Sequence, residues 1–547
     1  MATAGFHFAF GAAVRNLSRH RALLVAAGLV LVVFVIAPGI GFVSRLNGAH
    51  AANPLALTPT QLASLRETGL LMVGVAVVTG LIGVTAAWLV SIYDFPFRRL
   101  LDIGLVLPLA FPTYLAAYVA VDLLDYFGPI QTMLRWLAGS NRSATFWFPD
   151  IHSFGGAVFV LGLVLFPYVY VPCRILFSQT ARNIVDAGRL LGATPVRLFF
   201  RVGLPLARPA ILSGVILALL ETLNDIGAVE YLGVASLSAV IRDLWLNRFD
   251  LAGAARLAAM LVVIVYALLL IDPTARQGET ARHANRSAAT PRRTALAPLA
   301  AACTLAFCAL PVLLGFVFPA LHLLYLALHG IGLGASSGEL FAALASTLGL
   351  AISTGMVVMF AGSTIAIAIR ISGKFARTGT LAMLGYATPG TVLVLAILPV
   401  LTFFDDALAA FALPALFTGS SIAIVYALSV RFLGLGAVQA SLALARLPLN
   451  VDAVARIHGL GDLKLAWQIH RPAIHPGLKL GAILVFIDTV KELPATLLLR
   501  PLNFETLATR AYSRAAAGLF EQGAMESLLI VAISALAAVL LGQRNRA

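Results

Sequence analysis

Four acidic residues stand in two pairs within otherwise apolar stretches of the chain. Glu221 and Asp225 form one pair, Asp488 and Glu492 form the other, and each pair is spaced four residues apart. In a helix this spacing places both carboxylates on one face. A charge at the centre of a bilayer costs about 2.5–3.5 kcal/mol, so these acids are expected to face protein or water.

The acidic pairs predict a route for a multivalent cation, in which the negative field lowers the barrier to passage. A tight binding site is not expected, because transport requires release of the cargo. The structural alternative is that the acids pair with Lys491 or cap broken helices near Gly227 and Pro494. No H-E-x-x-H or paired-cysteine motif occurs, so no metal site is predicted.

A polar stretch at 186–205 reads DAGRLLGATPVRLFFRVGLP and interrupts two long apolar runs. Gly192 suits the left-handed position after a helix, and Thr194-Pro195 suits the start of the next one. The stretch therefore predicts a short helix ending at Leu191 that lies along the membrane surface and contacts a cytoplasmic partner. The alternative is an ordinary interfacial amphipathic helix. The residues assigned to this first loop are Asp186, Ala187, Gly188, Gly192 and Pro205.

A second loop follows 267 positions later and keeps the glycine, its spacing and the final proline. The residues assigned to it are Asp452, Ala453, Ala455, Gly459 and Pro472. Ala453 stands where the first loop has an acid, and Arg471 stands where the first loop has a leucine. These departures predict that the two loops do not contribute equally to binding the cytoplasmic partner. The first loop is expected to make the stronger contact with it.

No sequence motif supplies catalysis. The string Ser372-Gly373-Lys374 resembles part of a phosphate-binding loop, but Phe375 follows where Ser or Thr is required, and Ala368 replaces the upstream glycine. No catalytic residue is therefore assigned, and the chain is predicted not to be an enzyme.

The composition is that of a membrane protein with many spans. Of the 547 residues, 60% are hydrophobic and 11% are charged, with a mean hydropathy of +0.94. Soluble proteins have about 45–50% apolar and about 25% charged residues. The net charge of +14 comes from arginines in short gaps between apolar runs, as in cytoplasmic loops of membrane proteins. No recognised nucleic-acid module or basic tail is present, so nucleic-acid binding is not expected.

Apolar runs of about 20 residues predict about twelve spans. The first is expected to be an uncleaved span; a signal peptide with a cleavage site near 49–51 is the alternative. The predicted spans are 22–42, 70–92, 99–121, 154–177, 206–229, 253–271, 295–322, 341–369, 378–403, 411–432, 476–498 and 524–542.

The arginines and lysines between the spans predict that both termini and both loops are cytoplasmic. One gap is an exception, because Arg500, Arg510 and Arg514 lie on the outer side in this topology.

One offset of 267 carries Gly192 onto Gly459 and Pro205 onto Pro472, and the acidic pairs onto each other. The chain is therefore predicted to consist of a first transporter half at 1–271, a cytoplasmic linker at 272–293 and a second transporter half at 294–547. Each half has an even number of predicted spans, so the halves are parallel repeats.

The two loops resemble the E-A-A-x3-G-x9-I-x-L-P loop of ABC-importer permeases. Three further stretches are similar to the permease of a ferric-iron ABC importer. They read PLAFPTYLAAYVAVDLLDYFGPIQT from Pro108, ALLETLNDIGAVEYLG from Ala218, and DTVKELPATLLLRPLNFETLATRAY from Asp488. The resemblance implies an all-α membrane protein with the type I ABC-importer permease fold, in two homologous six-helix halves.

The resemblance also implies the partners. The loops would dock to two copies of a cytoplasmic ABC ATPase subunit, which uses ATP and Mg²⁺, and a periplasmic substrate-binding protein would deliver the cargo. The chain itself would bind no cofactor and would lie in the bacterial inner membrane. Alternatives with the same machinery carry thiamine, an organophosphonate, a polyamine or an oxyanion. A secondary transporter of two six-span halves is the alternative from another class.

Overall fold

The computed structural model describes residues 21–47, 58–137, 147–190, 192–271, 293–330, 337–372 and 381–544. These residues are almost entirely helical. The α-helices are α1 Arg21–Leu31, α2 Ala37–Asn47, α3 Pro59–Ile92, α4 Arg98–Gly104, α5 Thr113–Leu124, α6 Pro129–Leu137, α7 Phe154–Leu165, α8 Pro167–Leu190, α9 Pro195–Leu198, α10 Leu204–Asn224, α11 Gly227–Tyr231, α12 Leu237–Leu246, α13 Leu251–Ile271, α14 Pro298–Val312, α15 Phe318–Gly330, α16 Ser337–Ser372, α17 Leu384–Ala387, α18 Gly390–Ala409, α19 Ser421–Ala445, α20 Leu449–Ile457, α21 Asp462–Leu465, α22 Arg471–Val490, α23 Pro494–Leu499, α24 Leu507–Ala516 and α25 Ala524–Arg544.

Several helices continue through short segments of different winding. Five-residue π turns follow α1, α9, α14 and α21, and 3-10 turns lie at Leu107–Ala110 and Phe520–Gly523. A parallel two-stranded ladder pairs β1, Tyr93–Asp94, with β2, Thr294–Ala295.

The predicted membrane-protein class and the number of spans are confirmed. Within the described ranges, eleven helices are long and apolar enough to cross a membrane, or twelve if one bent helix pair counts as a span. That pair, 98–110 with 113–137, bends by 97°. The span predicted at 99–121 is therefore not one continuous helix. Pro112 is the N-cap of α5 in a non-helical conformation, which breaks the helix there.

Two predicted span boundaries are also wrong, in the part of the second half before its loop. The spans expected at 378–403 and 411–432 are observed at Gly390–Ala409 and Ser421–Ala445. The shift arises because residues 410–420 form turns, with Ala412 at a φ of 56°, and α19 begins only after Ser420. Apolar content alone does not distinguish such turns from a span.

The described residues form two compact units that are not contiguous in sequence. One unit takes its residues from 1–50 and 341–506, and the other from 51–340 and 507–547. In the first, α2 packs along α18, and Gly41 lies against the backbone of Ala396. The predicted halves at 1–271 and 294–547 stay a prediction, and linker residues 272–292 lie outside the described ranges.

The second unit has a core in which α3, α8 and α10 pack together. The Trp88 ring meets those of Phe177 and Phe199 edge to face, at centroid distances of 5.2 and 5.5 Å. A Cβ on Gly214 would lie 2.6 Å from the carbonyl oxygen of Tyr168, so only glycine allows α10 to approach α8 this closely. Small residues at such contacts are typical of membrane helix packing.

Candidate functional site

The first loop contains the predicted helix end and restart. Gly192 has a φ of 75°, in the left-handed region, and the Ala193 N–H donates to the Gly188 carbonyl oxygen at 3.0 Å. This bond is typical of a helix C-cap with glycine after the helix. Thr194 then caps α9, since its hydroxyl oxygen accepts from the Arg197 N–H at 3.4 Å.

The second loop repeats this geometry at the predicted offset. Gly459 has a φ of 78°, and the Leu460 N–H donates to the Ala455 carbonyl oxygen at 3.1 Å. Gly461 occupies the N-cap of α21 and offers no side-chain cap. The two loops therefore have the same backbone conformation at the glycine. The helix that follows the second loop lacks the side-chain N-cap that Thr194 provides in the first.

The elements that follow the loops also match residue by residue. The short helices α9 and α21, the π turns Phe199–Gly203 and Ala466–His470, and the starts of α10 and α22 are all related by the offset of 267. Pro205 and Pro472 each lie two residues after the π turn, in a helix that continues through that turn. The predicted repeat is thus present in the local fold as well as in the sequence.

The prediction of a separate short helix is wrong for the first loop. Helix α8 runs without a break from Pro167 to Leu190, so the loop helix continues the preceding span. In the second loop α20 is separate, because α19 ends at Ala445 and a turn ending in Pro448 precedes α20. The side chains of Asp186 and Ala187 lie outside the described part of the structure.

Asp452 is turned away from the surface of the second loop. It is 7% exposed, and its Oδ2 accepts from Arg370 Nε at 2.7 Å. Its Oδ1 accepts from Nε2 of His470, which is fully buried, at 3.0 Å. Burial raises the pKa of Asp452, but the hydrogen bonds from Arg370 and His470 outweigh it and hold the pKa below its ordinary value.

Arg370 joins the end of α16 to both sides of the turn before α20. Its guanidinium donates to the carbonyl oxygens of Leu444, Leu447 and Pro448 at 2.9, 3.0 and 3.2 Å. With Asp452, these carbonyls give the guanidinium four acceptors. Arg370 therefore fixes the position of α20 on the membrane-spanning helices, and we call Arg370, Asp452 and His470 the loop anchor.

The outer face of α20 carries apolar side chains beside the exposed Asn450 and Arg456. Ala453 is exposed, Val454 is 51% exposed and Ile457 is 82% exposed. Ala455 points inward, where it belongs to a buried cluster with Leu465. The second loop thus exposes these three apolar side chains and holds Asp452 inside.

The same-face prediction for the acidic pairs is wrong, because each long helix ends before the second acid. Helix α10 ends at Asn224, and the carboxylate of Asp225 accepts from the Ala228 N–H at 2.8 Å. Helix α22 ends at Val490, and Glu492 accepts from the N–H groups of Ala495 and Thr496 at 2.9 and 3.1 Å. Both acids cap short helices, α11 and α23, which is the structural alternative named above.

The other acid of each pair lies outside these caps, and Asp488 forms the ion pair with Lys491 that the structural alternative predicts. Glu221 is half-buried and forms no ion pair with a described residue. Asp488 is also half-buried, and its Oδ1 lies 3.0 Å from Lys491 Nζ. The two pairs belong to different compact units. Their role in a pathway stays a prediction.

Sequence reasoning missed the roles of Arg370 and His470. Arg370 lies among the basic residues between apolar runs, and nothing in its neighbourhood in the sequence indicates a partner 82 positions away. His470 directly precedes Arg471-Pro472, and its full burial depends on tertiary packing. Within the described ranges, no three His, Cys, Asp or Glu side chains come together as metal ligands.

One family model matches part of the chain. Residues 79–272 match the family described as binding-protein-dependent transport system inner membrane component. The matched segment contains the first loop and the first acidic pair. The helical fold and this match confirm the predicted class, a permease of a binding-protein-dependent transport system.

Individual relatives are permeases of the same class. The chain is 24% identical to the Fe(3+)-transport system permease protein FbpB 2 of Haemophilus influenzae, over 89% of this chain and 91% of the relative. It is 28% identical to the sulfate transport system permease protein CysT of Escherichia coli, over 39% of this chain and 75% of that protein. It is 29% identical to the molybdenum transport system permease protein ModB of Escherichia coli, over 35% and 82%.

Proposed function

We propose that this chain is the membrane permease of an ATP-driven importer and that its two loops transmit ATPase movements to the spanning helices. The observation that carries the proposal is the shared geometry of the loops, with left-handed Gly192 and Gly459 followed by matching helix restarts. A secondary transporter has no need of two such loops. Each loop is followed directly by a long helix that ends at an acidic pair, so movement of a loop would reach the cargo route.

The proposed assembly follows from this arrangement. Two matching loops call for two copies of a cytoplasmic ABC ATPase, which would hydrolyse ATP with Mg²⁺, and the permease would bind no cofactor of its own. A periplasmic substrate-binding protein would deliver cargo. The chain would cross the bacterial inner membrane with both termini in the cytoplasm, as the positive charges between its spans favour.

Ferric iron is the proposed cargo. The relative whose similarity extends over 89% of this chain transports Fe(3+) by its name. Glu221 adds a physical reason, since a half-buried carboxylate that forms no ion pair with a described residue favours a cation over an anion. An oxyanion is the second candidate, because the sulfate and molybdenum relatives are 28% and 29% identical over shorter stretches.

Uptake into proteoliposomes tests the proposal. The chain would be reconstituted with its copurifying ATPase and supplied with binding protein loaded with ferric iron, sulfate or molybdate. We expect iron accumulation that requires internal ATP and survives collapse of the proton gradient. Uptake of sulfate or molybdate instead would assign the second cargo. Uptake that persists without ATP and stops with the gradient would establish a secondary transporter.

A further inference from the structure

A groove of about 730 Å³ opens beside the second loop, within the unit that contains residues 341–506. Helices α1 and α16 and the segment from α21 to α22 form its walls. Met359, Ile367 and Ile474 are almost fully buried along its floor. Its volume lies within the range of about 300–1,000 Å³ that is usual for ligand pockets.

Hydroxyl groups in the groove are already satisfied. The hydroxyls of Ser363 and Thr364 both donate to the carbonyl oxygen of Phe360, each at 2.9 Å. They therefore bond within their own helix and leave the wall apolar in character. An aliphatic chain suits such a surface, because it needs no hydrogen-bonding partner.

The mouth of the groove is basic and aromatic. Lys464, Trp467 and Arg471 are exposed there, and the Arg471 guanidinium carbon lies 3.8 Å from the centre of the Trp467 ring. No acidic side chain lines the groove, and neither cation forms an ion pair with a described residue. Tryptophan is typical of the interface between lipid tails and headgroups.

The corresponding place in the first half differs in two residues that make the groove. Ala466 replaces Phe199, whose ring packs on Trp88 at a centroid distance of 5.5 Å. Arg471 replaces Leu204, which packs against the core of the other unit. The second half thus loses a ring inside the groove and gains a charge at its mouth.

We propose that this groove binds an anionic phospholipid, with an acyl chain along the apolar floor and the phosphate between Arg471 and Lys464. Basic pockets between spanning helices bind anionic headgroups for the same electrostatic reason. Ala466 and Ile474 in the groove belong to the buried cluster that also contains Ala455 and Leu465. A bound lipid therefore stabilises the packing under the second loop. This inference is independent of the cargo.

Lipid titration of the purified full-length chain, followed by native mass spectrometry, tests the proposal. The probes are phosphatidylglycerol and phosphatidylcholine with identical acyl chains, and inorganic phosphate. Phosphatidylglycerol should bind more tightly than phosphatidylcholine. Arg471→Leu should weaken phosphatidylglycerol binding about fivefold, equivalent to about 1 kcal/mol for one basic residue.

Two further variants use the differences between the halves. Ala466→Phe should reduce binding of both lipids by filling the groove. Arg201→Gln is the matched control, because it removes one exposed charge from the corresponding π turn of the first half. It should leave binding unchanged. If Ala466→Phe does not fold, Arg471→Leu decides the test.

Three results would overturn the proposal. Equal affinity for the two lipids, unaffected by Arg471→Leu, would show general lipid contact. If inorganic phosphate protected the chain from thermal unfolding as well as phosphatidylglycerol does, the groove would be a site for small anions and not for a lipid. Phosphatidylglycerol binding that appears only after deletion of residues 2–20 would assign the groove to the N-terminal segment of this chain.

Discussion

At the scale of single residues, the loop anchor links the second loop to the spanning helices. Asp452 and His470 are both buried, and Arg370 supplies the positive charge that faces the carboxylate. Removing one partner of a buried ion pair leaves the other charge uncompensated. The side chain that holds the loop is therefore not on the loop itself, but at the end of α16.

Arg370→Met should loosen α20 without disturbing the spans. An uncompensated buried carboxylate costs about 3–5 kcal/mol. Amide hydrogen exchange in residues 449–457 should become faster, and the ATPase should bind less tightly. Arg456→Gln is the control on the same helix, because its side chain is 44% exposed and its ion pair is worth at most about 1 kcal/mol. Unchanged amide exchange in residues 449–457 of Arg370→Met would show that the loop anchor does not stabilise α20.

The anchor should also respond to acid. The pKa of Asp452 is lowered in the folded protein, so its stabilising contribution is present above the unfolded value of about 3.9. That contribution is lost as the pH falls through the lower, folded value. The protection factors of the amides in α20, which compare their exchange rates with those of unprotected amides at the same pH, should therefore stay constant down to about pH 4. Below that pH they should fall as Asp452 becomes protonated. Asp452→Asn should have faster exchange at neutral pH and lack this acid step; an identical step would assign it to another group.

At the scale of elements, the acids divide into two structural roles. Asp225 and Glu492 hold the starts of α11 and α23, whereas Glu221 and Asp488 remain half-buried. The sequence indicated the four acids because charges in apolar runs are rare. It did not indicate that the long helices end just before Asp225 and Glu492, since capping depends on which N–H groups the fold brings near.

Matched substitutions separate these roles. Glu221→Gln with Asp488→Asn should reduce uptake severalfold at normal abundance in the membrane, since the field along the route is lost. Asp225→Ala with Glu492→Ala should instead lower stability, by about 0.5–2 kcal/mol for each lost cap. Uptake and thermal unfolding would be measured on all variants. Normal uptake by the first pair would contradict the pathway role.

At the scale of the whole molecule, the sequence predicts features that depend on neighbouring residues, such as helix ends and the number of spans. It does not predict contacts between segments that are distant in the chain. Gly192 and Gly459 could be placed because a left-handed residue after a helix favours glycine wherever it occurs. The number of spans followed from apolar length. The anchor and the compact units depend on contacts between distant segments, as when α2 packs along α18, and no local pattern specifies these.

The arginines that departed from the predicted charge distribution have structural partners. Arg510 Nε lies 2.6 Å from Glu526, which is fully buried, and its Nη2 lies 2.5 Å from Glu339. Arg514 lies 3.1 Å from Glu526, and Arg500 pairs with Glu505. Arg510 and Arg514 thus join α24 to the start of α25.

Arg510→Met should destabilise this unit strongly. It removes one of the two arginines that face the buried Glu526, and breaking a buried pair costs about 3–5 kcal/mol. The melting temperature of the purified chain should fall clearly. Arg500→Met is the control, since the half-exposed pair with Glu505 should contribute at most about 1 kcal/mol. Equal melting temperatures for the two variants would contradict the structural role of Glu526.

The central claim is that the two loops couple this permease to an ATPase, with the first loop as the stronger contact. Apart from the adjacent residues, no atom of the described part of the chain lies within 4 Å of a Cβ built on Gly192 or Gly459, so the expected effect of a side chain there is on the backbone conformation. A left-handed conformation costs other residues about 1–2 kcal/mol. That cost lowers the population of the native loop by about 5–30-fold.

The most direct measurement is ATP hydrolysis by the reconstituted complex, stimulated by cargo-loaded binding protein. Gly192→Val should reduce the stimulation more than Gly459→Val, and the double variant should abolish it, while basal hydrolysis by the isolated ATPase stays constant. Equal losses of stimulation in the two single variants would contradict the prediction that the first loop is the stronger contact. Full stimulation in the double variant would contradict the account itself.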